Sequence, residues 1–159
     1  MATEEHRTLA VIDIENLCGG PDNVNSFHRY IRYLYDEAAT DMWMPVIATS
    51  THTITRCPDL WWTWHDARRL HRTGPDAADL ELLDTLREPT AQRCDHIEIW
   101  SGDHIFADAA RRLRRHGTTV TVRAAPAALS RRLRHAATRV HELVELNMVT
   151  DSPRPNTAA

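Results

Sequence analysis

The chain of 159 residues contains no lysine: its 19 basic residues are all arginine. That absence excludes mechanisms built on an ammonium group. A P-loop needs its lysine, Schiff-base chemistry needs a primary amine, and receiver-type phosphoacceptor sites normally use one. Arginine suits planar, bidentate contact with phosphate, so phosphate recognition stays open. Cysteine is scarce as well. Cys18, Cys57 and Cys94 are odd in number, far apart and without a C-x-x-C pair, which points to three reduced thiols rather than a disulfide framework or zinc site. The ten histidines show no H-E-x-x-H or paired ligand spacing, and no G-x-G-x-x-G follows a strand-like segment, which argues against dinucleotide chemistry. No apolar run is long enough to cross a bilayer, and Met1 to Arg7 lacks the basic-then-apolar order of a secretory signal, so a cytoplasmic protein with no membrane partner is expected. A net charge of −3 argues against wholesale coating of long nucleic acid.

What is present suffices for one compact domain, expected over residues 1–150, with a polar, proline-containing tail over 151–159 that reads as disordered. The stretch Leu9-Ala10-Val11-Ile12-Asp13-Ile14-Glu15-Asn16 organises the rest. An apolar run ending in an acid and an amide reads as a buried parallel strand. A carboxylate on that strand would lose its hydration at a cost of several kcal/mol unless it reached a crevice, a partner or a metal. Asp13 therefore belongs at the strand's carboxyl end, where open α/β sheets bind ligands.

In chain order, a Gly- and Pro-rich loop at residues 17–21 leads into a helix with apolar Val24, Phe27, Ile31, Leu34 and Ala38. Met44 to Ser50 reads as the second strand. Trp61, Trp62 and Trp64 sit on a short helix before a strand near Ala67 to His71. Clustered tryptophans could stack bases or form a dimer patch, although packing beneath a connection is their commoner use. A loop from Thr73 enters a helix with Leu80, Leu83 and Leu86 on its buried face and a capping-box pair, Asp76 and Asp79. His96 to Trp100 is the fourth strand. Ser101-Gly102-Asp103 follows, where small residues let backbone amides approach an anion, then a helix with Ile105, Phe106, Ala109, Ala110 and Leu113 on one face. Thr119 to Val122 alternates as a strand, and an arginine-rich helix follows Ser130. Residues 140–146 fit either that helix's continuation or an edge strand.

Strands alternating with helices imply an α/β/α three-layer sandwich with a mainly parallel five-stranded sheet, in the order 3-2-1-4-5. That order makes the first and fourth strands neighbours and brings Asp13 and Asp103 to the switch point, with Asp79 on the same edge. Three carboxylates without an obligatory His or Cys favour a hard divalent ion, Mg²⁺ or Mn²⁺, able to activate water and stabilise charge on a phosphodiester. Asn16 can hydrogen-bond a carboxylate or phosphate without adding charge. Asp13-Ile14-Glu15-Asn16 lacks the D-x-D order of haloacid-dehalogenase-like phosphohydrolases.

These residues resemble a family. Val11-Ile12-Asp13-Ile14-Glu15-Asn16-Leu17 resembles the opening D-x-x-N motif of NYN domains, members of the PIN-like ribonuclease superfamily. Gly74-Pro75-Asp76-Ala77-Ala78-Asp79-Leu80 is similar to that family's middle acidic motif, and Trp100-Ser101-Gly102-Asp103-His104-Ile105-Phe106 to its S-G-D-x-D-F motif. The resemblance implies a PIN-like fold and a metal-dependent endoribonuclease, with Asp13, Asp79 and Asp103 as metal-coordinating residues and Asn16 in support. Ile105 stands where many relatives carry a second Asp. Asp108, one turn along, is a substitute candidate, and the loss motivates an alternative reading as a catalytically weak module that binds RNA or a protein partner. Ser101, Arg111, Arg112, Arg131 and Arg132 are candidate RNA contacts. The expected partners are an RNA substrate, a second copy of the chain and an inhibitory or regulatory protein.

Overall fold

The computed structural model describes residues 7–19, 24–38 and 44–145. The expected tail at 151–159 lies outside them, as do part of the loop after Cys18 and the side chain of Val24. The elements run β1 (Thr8–Asp13), α1 (Ile14–Cys18), α2 (Val24–Ala38), β2 (Met44–Ser50), α3 (Thr51–Arg56), α4 (Asp59–Thr63), β3 (Arg68–Arg72), α5 (Ala77–Thr85), α6 (Pro89–Gln92), β4 (His96–Trp100), a 3₁₀ turn (His104–Phe106), α7 (Ala107–Arg115), β5 (Thr119–Ala124), α8 (Arg131–Ala136) and β6 (Arg139–Glu142).

The strands form one parallel sheet in the order β3-β2-β1-β4-β5-β6. The expected order holds for the first five, and a sixth strand extends the edge. It settles the open reading of residues 140–146 as far as Glu142. Helix α8 stops because Ala137 turns to extended backbone, and the Thr138 amide donates to the Val120 carbonyl while its hydroxyl accepts from the Val120 amide.

Strand alternation sorts the core into two layers. Leu9 and Val11 of β1 join Ile97, Ile99, Val120 and Val122 beneath α5, α7 and α8, where Leu82, Leu86, Ala110, Leu113 and Leu133 fill the space. Ala10 and Ile12 face the opposite layer with Phe27, Tyr30, Ile31 and Leu34 of α2 and Trp64 behind α4. The buried face of α5 differs from the expected one: Ala78, Leu82 and Leu86 point inward and Leu80 is exposed. Asp79 is thereby carried to the helix's first turn beside the sheet. The three cysteines are free and buried. Among the described residues, no helix is long and apolar enough to cross a membrane.

A second polar cluster lies within the sheet. Glu98, buried, accepts from the Trp100 indole N–H at 2.8 Å and from Arg123 at 2.9 Å, while the Arg123 guanidinium lies 4.9 Å from the Trp100 ring centre. The pair satisfies a carboxylate that burial alone would not tolerate.

Candidate active site

Asp13 is the last residue of β1 and also the residue on which α1 begins. Its Oδ1 accepts from the Asn16 amide at 3.2 Å, an N-cap that stops the strand and starts the helix at Ile14. The strand ends at Asp13 as expected, and α1 replaces the loop expected from Leu17. On the odd-numbered face of β1, Asp13 follows Leu9 and Val11 toward the layer that holds α5.

The end of β4 supplies the other side of the frame. Because Ile12 pairs with Trp100, the next residues, Asp13 and Ser101, stand side by side. The Ser101 hydroxyl, fully buried, donates to Asp13 Oδ2 at 3.1 Å and accepts from the Asp103 amide at 3.2 Å. Asn16 Oδ1 accepts from the Gly102 amide at 2.9 Å, so the amide side chain latches α1 to the loop after β4. The candidate RNA contact Ser101 is therefore inaccessible and serves the carboxylate instead. Gly102 is small for a packing reason: a Cβ there would stand 2.2 Å from the Ala128 carbonyl oxygen. Its amide meets Asn16 rather than an anion.

Asp79 comes up against Asp13 from the first turn of α5, close enough for each carboxyl group to shift the other. Burial and then the charge of Asp79 push the Asp13 carboxyl up to about 8, while the Asn16 amide and Ser101 hydroxyl pull the other way. Asp79 is also raised, by burial foremost and by the charges of Asp103, Asp76 and Glu15. The pair thus holds a proton at neutral pH. Asp103 caps the 3₁₀ turn through the Ile105 amide, at 2.9 Å, and meets His104 Nδ1 at 3.0 Å, with its side chain 31% exposed. The capping box expected of Asp76 is absent. That residue adopts φ 52° and makes no side-chain cap bond, the one non-glycine positive φ among the described residues.

Glu15 escaped the sequence reading. Its Oε1 accepts from Thr49 Oγ1 at 2.9 Å, from the Ser50 amide at 2.7 Å and from the Thr53 hydroxyl. Burial opposes its ionisation, but the bonds from Ser50, Thr53 and Thr49 prevail and hold it below the usual range. The signal was the hydroxyl run Thr49-Ser50-Thr51 closing β2, a set of donors with no acceptor nearby in sequence. Asp13, Glu15, Asn16, Ser50, Gly74, Asp76 and Asp79 line a cleft of about 200 Å³.

The remaining candidates lie apart from these contacts. Asp108 is 76% exposed and pairs with Arg111 and, at 3.2 Å, with Arg132. Arg112 donates to the Leu86 carbonyl at 3.3 Å, and Arg131 is exposed on α8. Among the described residues, no group of three or more His, Cys, Asp and Glu side chains is arranged so that it could hold a metal ion as it stands. The Asp13–Asp79 pair nonetheless fits a hard cation. It offers oxygens alone, and burial together with neighbouring negative charge raises both carboxyl groups, an environment that a positive charge between them would relieve. Mg²⁺ commonly binds through one or two carboxylates while keeping water and phosphate as its other ligands.

The family model described as NYN domain matches residues 61–145, more than half of the chain. The chain belongs to the NYN domain family. NYN domains are a PIN-like nuclease family that typically uses divalent metals. The match spans β3 to β6 and so includes Asp79 and Asp103, whereas Asp13 and Asn16 precede it and line the cleft together with Asp79. No curated protein matches this NYN domain in sequence. In fold it is similar to the crystal structure of a protein of unknown function from Vibrio parahaemolyticus, with a TM-score of 0.67 and 15% identity over 92% of this chain and 98% of that one.

Proposed function

We propose that this NYN domain is a metal-dependent endoribonuclease whose centre is Asp13 and Asp79, with Asp103 alongside and Asn16 in support. One observation carries the reading: the buried Asp13 carboxylate at the end of β1, held by Ser101 and the Asn16 backbone amide, meets Asp79 from the first turn of α5 at the switch point of the sheet. Such a pair destabilises the folded chain when ionised, and a divalent ion relieves it. A bound Mg²⁺ or Mn²⁺ supplies positive charge against the phosphodiester and lowers the pKa of a water molecule. The chain's own part is positional. Ser101 and the Asn16 amide fix the Asp13 carboxylate, Asn16 locks the β4 loop, Asp79 completes the pair, and Asp103 faces the same field with one oxygen left over from its cap.

RNA cleavage by the whole chain should require Mg²⁺ or Mn²⁺, stop with chelator, and vanish in Asp13→Asn and Asp103→Asn with thermal unfolding still cooperative. Persistence of cleavage in both variants refutes the assignment. A second reading, a module that binds RNA or protein without turnover, is favoured by Ile105 in place of the family's second acid. Calorimetric titration with Mn²⁺ separates the two: an absence of binding at millimolar ion favours the module.

A further inference from the structure

Strand β3 forms one edge of the sheet, and its sequence Arg68-Arg69-Leu70-His71-Arg72 is almost entirely exposed. Alternation gives its two faces different partners. On one, Arg68 pairs with Glu88 at 2.8 Å, Arg72 meets Glu81 at 3.6 Å and Leu70 packs on the core. On the other, Arg69 and His71 flank the ring of Trp61. The Arg69 guanidinium lies 5.8 Å from the ring centre and donates to the Trp61 carbonyl at 2.9 Å, and the His71 ring is 6.3 Å away at 53°. Among the described residues, Arg69 is in no ion pair. Trp61 is half-buried, while Trp62, next along α4, is 77% exposed. Trp64 alone of the three is a core residue, edge-on to Tyr35 at 5.2 Å.

We infer that this face of β3, centred on Trp61 with Arg69, His71 and Trp62, is a stacking platform for single-stranded RNA adjoining the carboxylate cleft. The inference rests on the nuclease reading for its choice of ligand. A half-buried indole with a guanidinium over it that is in no ion pair, next to the exposed Trp62 ring, suits an unstacked base with its phosphate, since base–aromatic stacking and arginine charge are the elements of single-strand grooves. Pairing of β3 with the edge of a second copy is disfavoured, because it would set arginines against arginines. Continuity with the cleft follows from the chain. Beyond Arg72 the Thr73 hydroxyl meets that of Thr51 at 3.0 Å, and Gly74 lines the cleft. Gly74 follows His71 by three residues, at most about 10 Å of chain, so an oligonucleotide on the platform reaches the edge of the cleft.

The test uses the whole chain in excess chelator, so that binding is read without cleavage, and a fluorescein-labelled oligouridylate followed by anisotropy. Trp61→Ala should weaken binding about 5- to 150-fold, the span of base–aromatic stacking. Arg69→Gln should weaken it several-fold and reduce the logarithmic salt slope by about 0.7. Trp61→Phe, which keeps a ring, should bind nearly as the parent does and guards against misfolding of the alanine variant. Duplex RNA, whose bases offer no free face, should bind much less tightly. The proposal is overturned if Arg69→Gln and a folded Trp61→Ala bind as the parent does, if the parent does not bind the oligouridylate, or if sedimentation shows Trp62→Ser dissolving a dimer. Separate variants keep the two readings apart. Cleavage that continues in both Asp13→Asn and Asp103→Asn sinks the nuclease centre alone, and parent-like binding by the Trp61 and Arg69 variants sinks the platform alone.

Discussion

Asp13→Asn should make the folded chain more stable while destroying its response to divalent ions. Asp13 has an ordinary value of 3.8 and is raised to about 8 in the folded chain, by burial first and by Asp79 second. A carboxyl raised on folding retains its proton in the native state after the unfolded chain has lost it. Between about pH 4 and pH 8 the native state therefore binds more protons, and stability falls as pH rises through that window, levelling off above it. At about 1.4 kcal/mol per pH unit the upper limit of the loss is about 6 kcal/mol, and half of it would move the melting midpoint of a chain this size by about 6–12 °C. Asparagine keeps one oxygen for the Asn16 amide and gives up the acceptor for the Ser101 hydroxyl, but it carries no charge to repel Asp79, and the repulsion removed exceeds the single bond lost. Differential scanning calorimetry from pH 5 to pH 8.5 in chelator should show the gap between variant and parent opening with pH. Adding Mn²⁺ should then raise the parent's midpoint and leave the variant's unchanged, since only a ligand that binds the folded state stabilises it. A gap that is constant across the pH range, or an asparagine variant less stable than the parent at pH 8.5, refutes the reasoning.

Other substitutions separate the frame from the charge. Ser101→Ala removes a buried hydroxyl that serves both Asp13 and the Asp103 amide, and should cost about 1–3 kcal/mol in urea denaturation while moving the pH-dependent loss of stability to higher pH. Gly102→Ala should be worse, at least about 2 kcal/mol or failure to fold, because its new methyl would meet the Ala128 backbone rather than a movable side chain. Glu15→Ala should loosen the start of α3 and lower the melting midpoint at pH 7. Since Glu15 is held below its usual value, the difference from the parent should shrink as pH falls through that lowered value. Asp108→Ala, which disrupts only an exposed contact with Arg111 and Arg132, should leave both the calorimetric midpoint and Mn²⁺ affinity unchanged, and a loss of affinity would restore Asp108 as a ligand.

Much of this fold was legible because parallel strands buried on both faces advertise themselves as apolar runs. Met44 to Ser50 and His96 to Trp100 could be read to the residue, and the adjacency of β1 and β4 followed from topology. Failures arose where a short-range rule competed with a long-range contact. Residues from Leu17 read as a loop, yet a side-chain cap from Asp13 on the backbone N–H of Asn16 starts a helix at Ile14 that runs through Cys18. The acids at 76 and 79 have capping-box spacing, but Asp76 sits in the left-handed region and Asp79 is engaged by Asp13. Ser101 and Gly102 looked like the small residues of an anion-binding turn. Their smallness is spent on a carboxylate 88 residues away and on the Ala128 backbone, contacts that no local pattern announces.

The same long-range contacts explain why a site made of mutually repelling acids survives in a folded chain. Each acid is fixed by a bond that also stabilises the fold: Asp13 starts α1, Asp103 caps the 3₁₀ turn, and Glu15 gathers the end of β2 and the start of α3. Removing any of them to relieve repulsion therefore removes a structural bond as well. Glutamine at position 15 is the exception, because one amide oxygen can accept all three bonds that Glu15 takes on Oε1, and asparagine at position 13 comes second, keeping the cap bond but not the acceptor for Ser101. The order of stability among the cleft variants should follow how many of these bonds each replacement keeps, with Asp13→Asn above Asp13→Ala by more than the loss of packing alone accounts for. If calorimetry at pH 8 ranks the two together, repulsion dominates the energetics of the cleft and the caps are incidental.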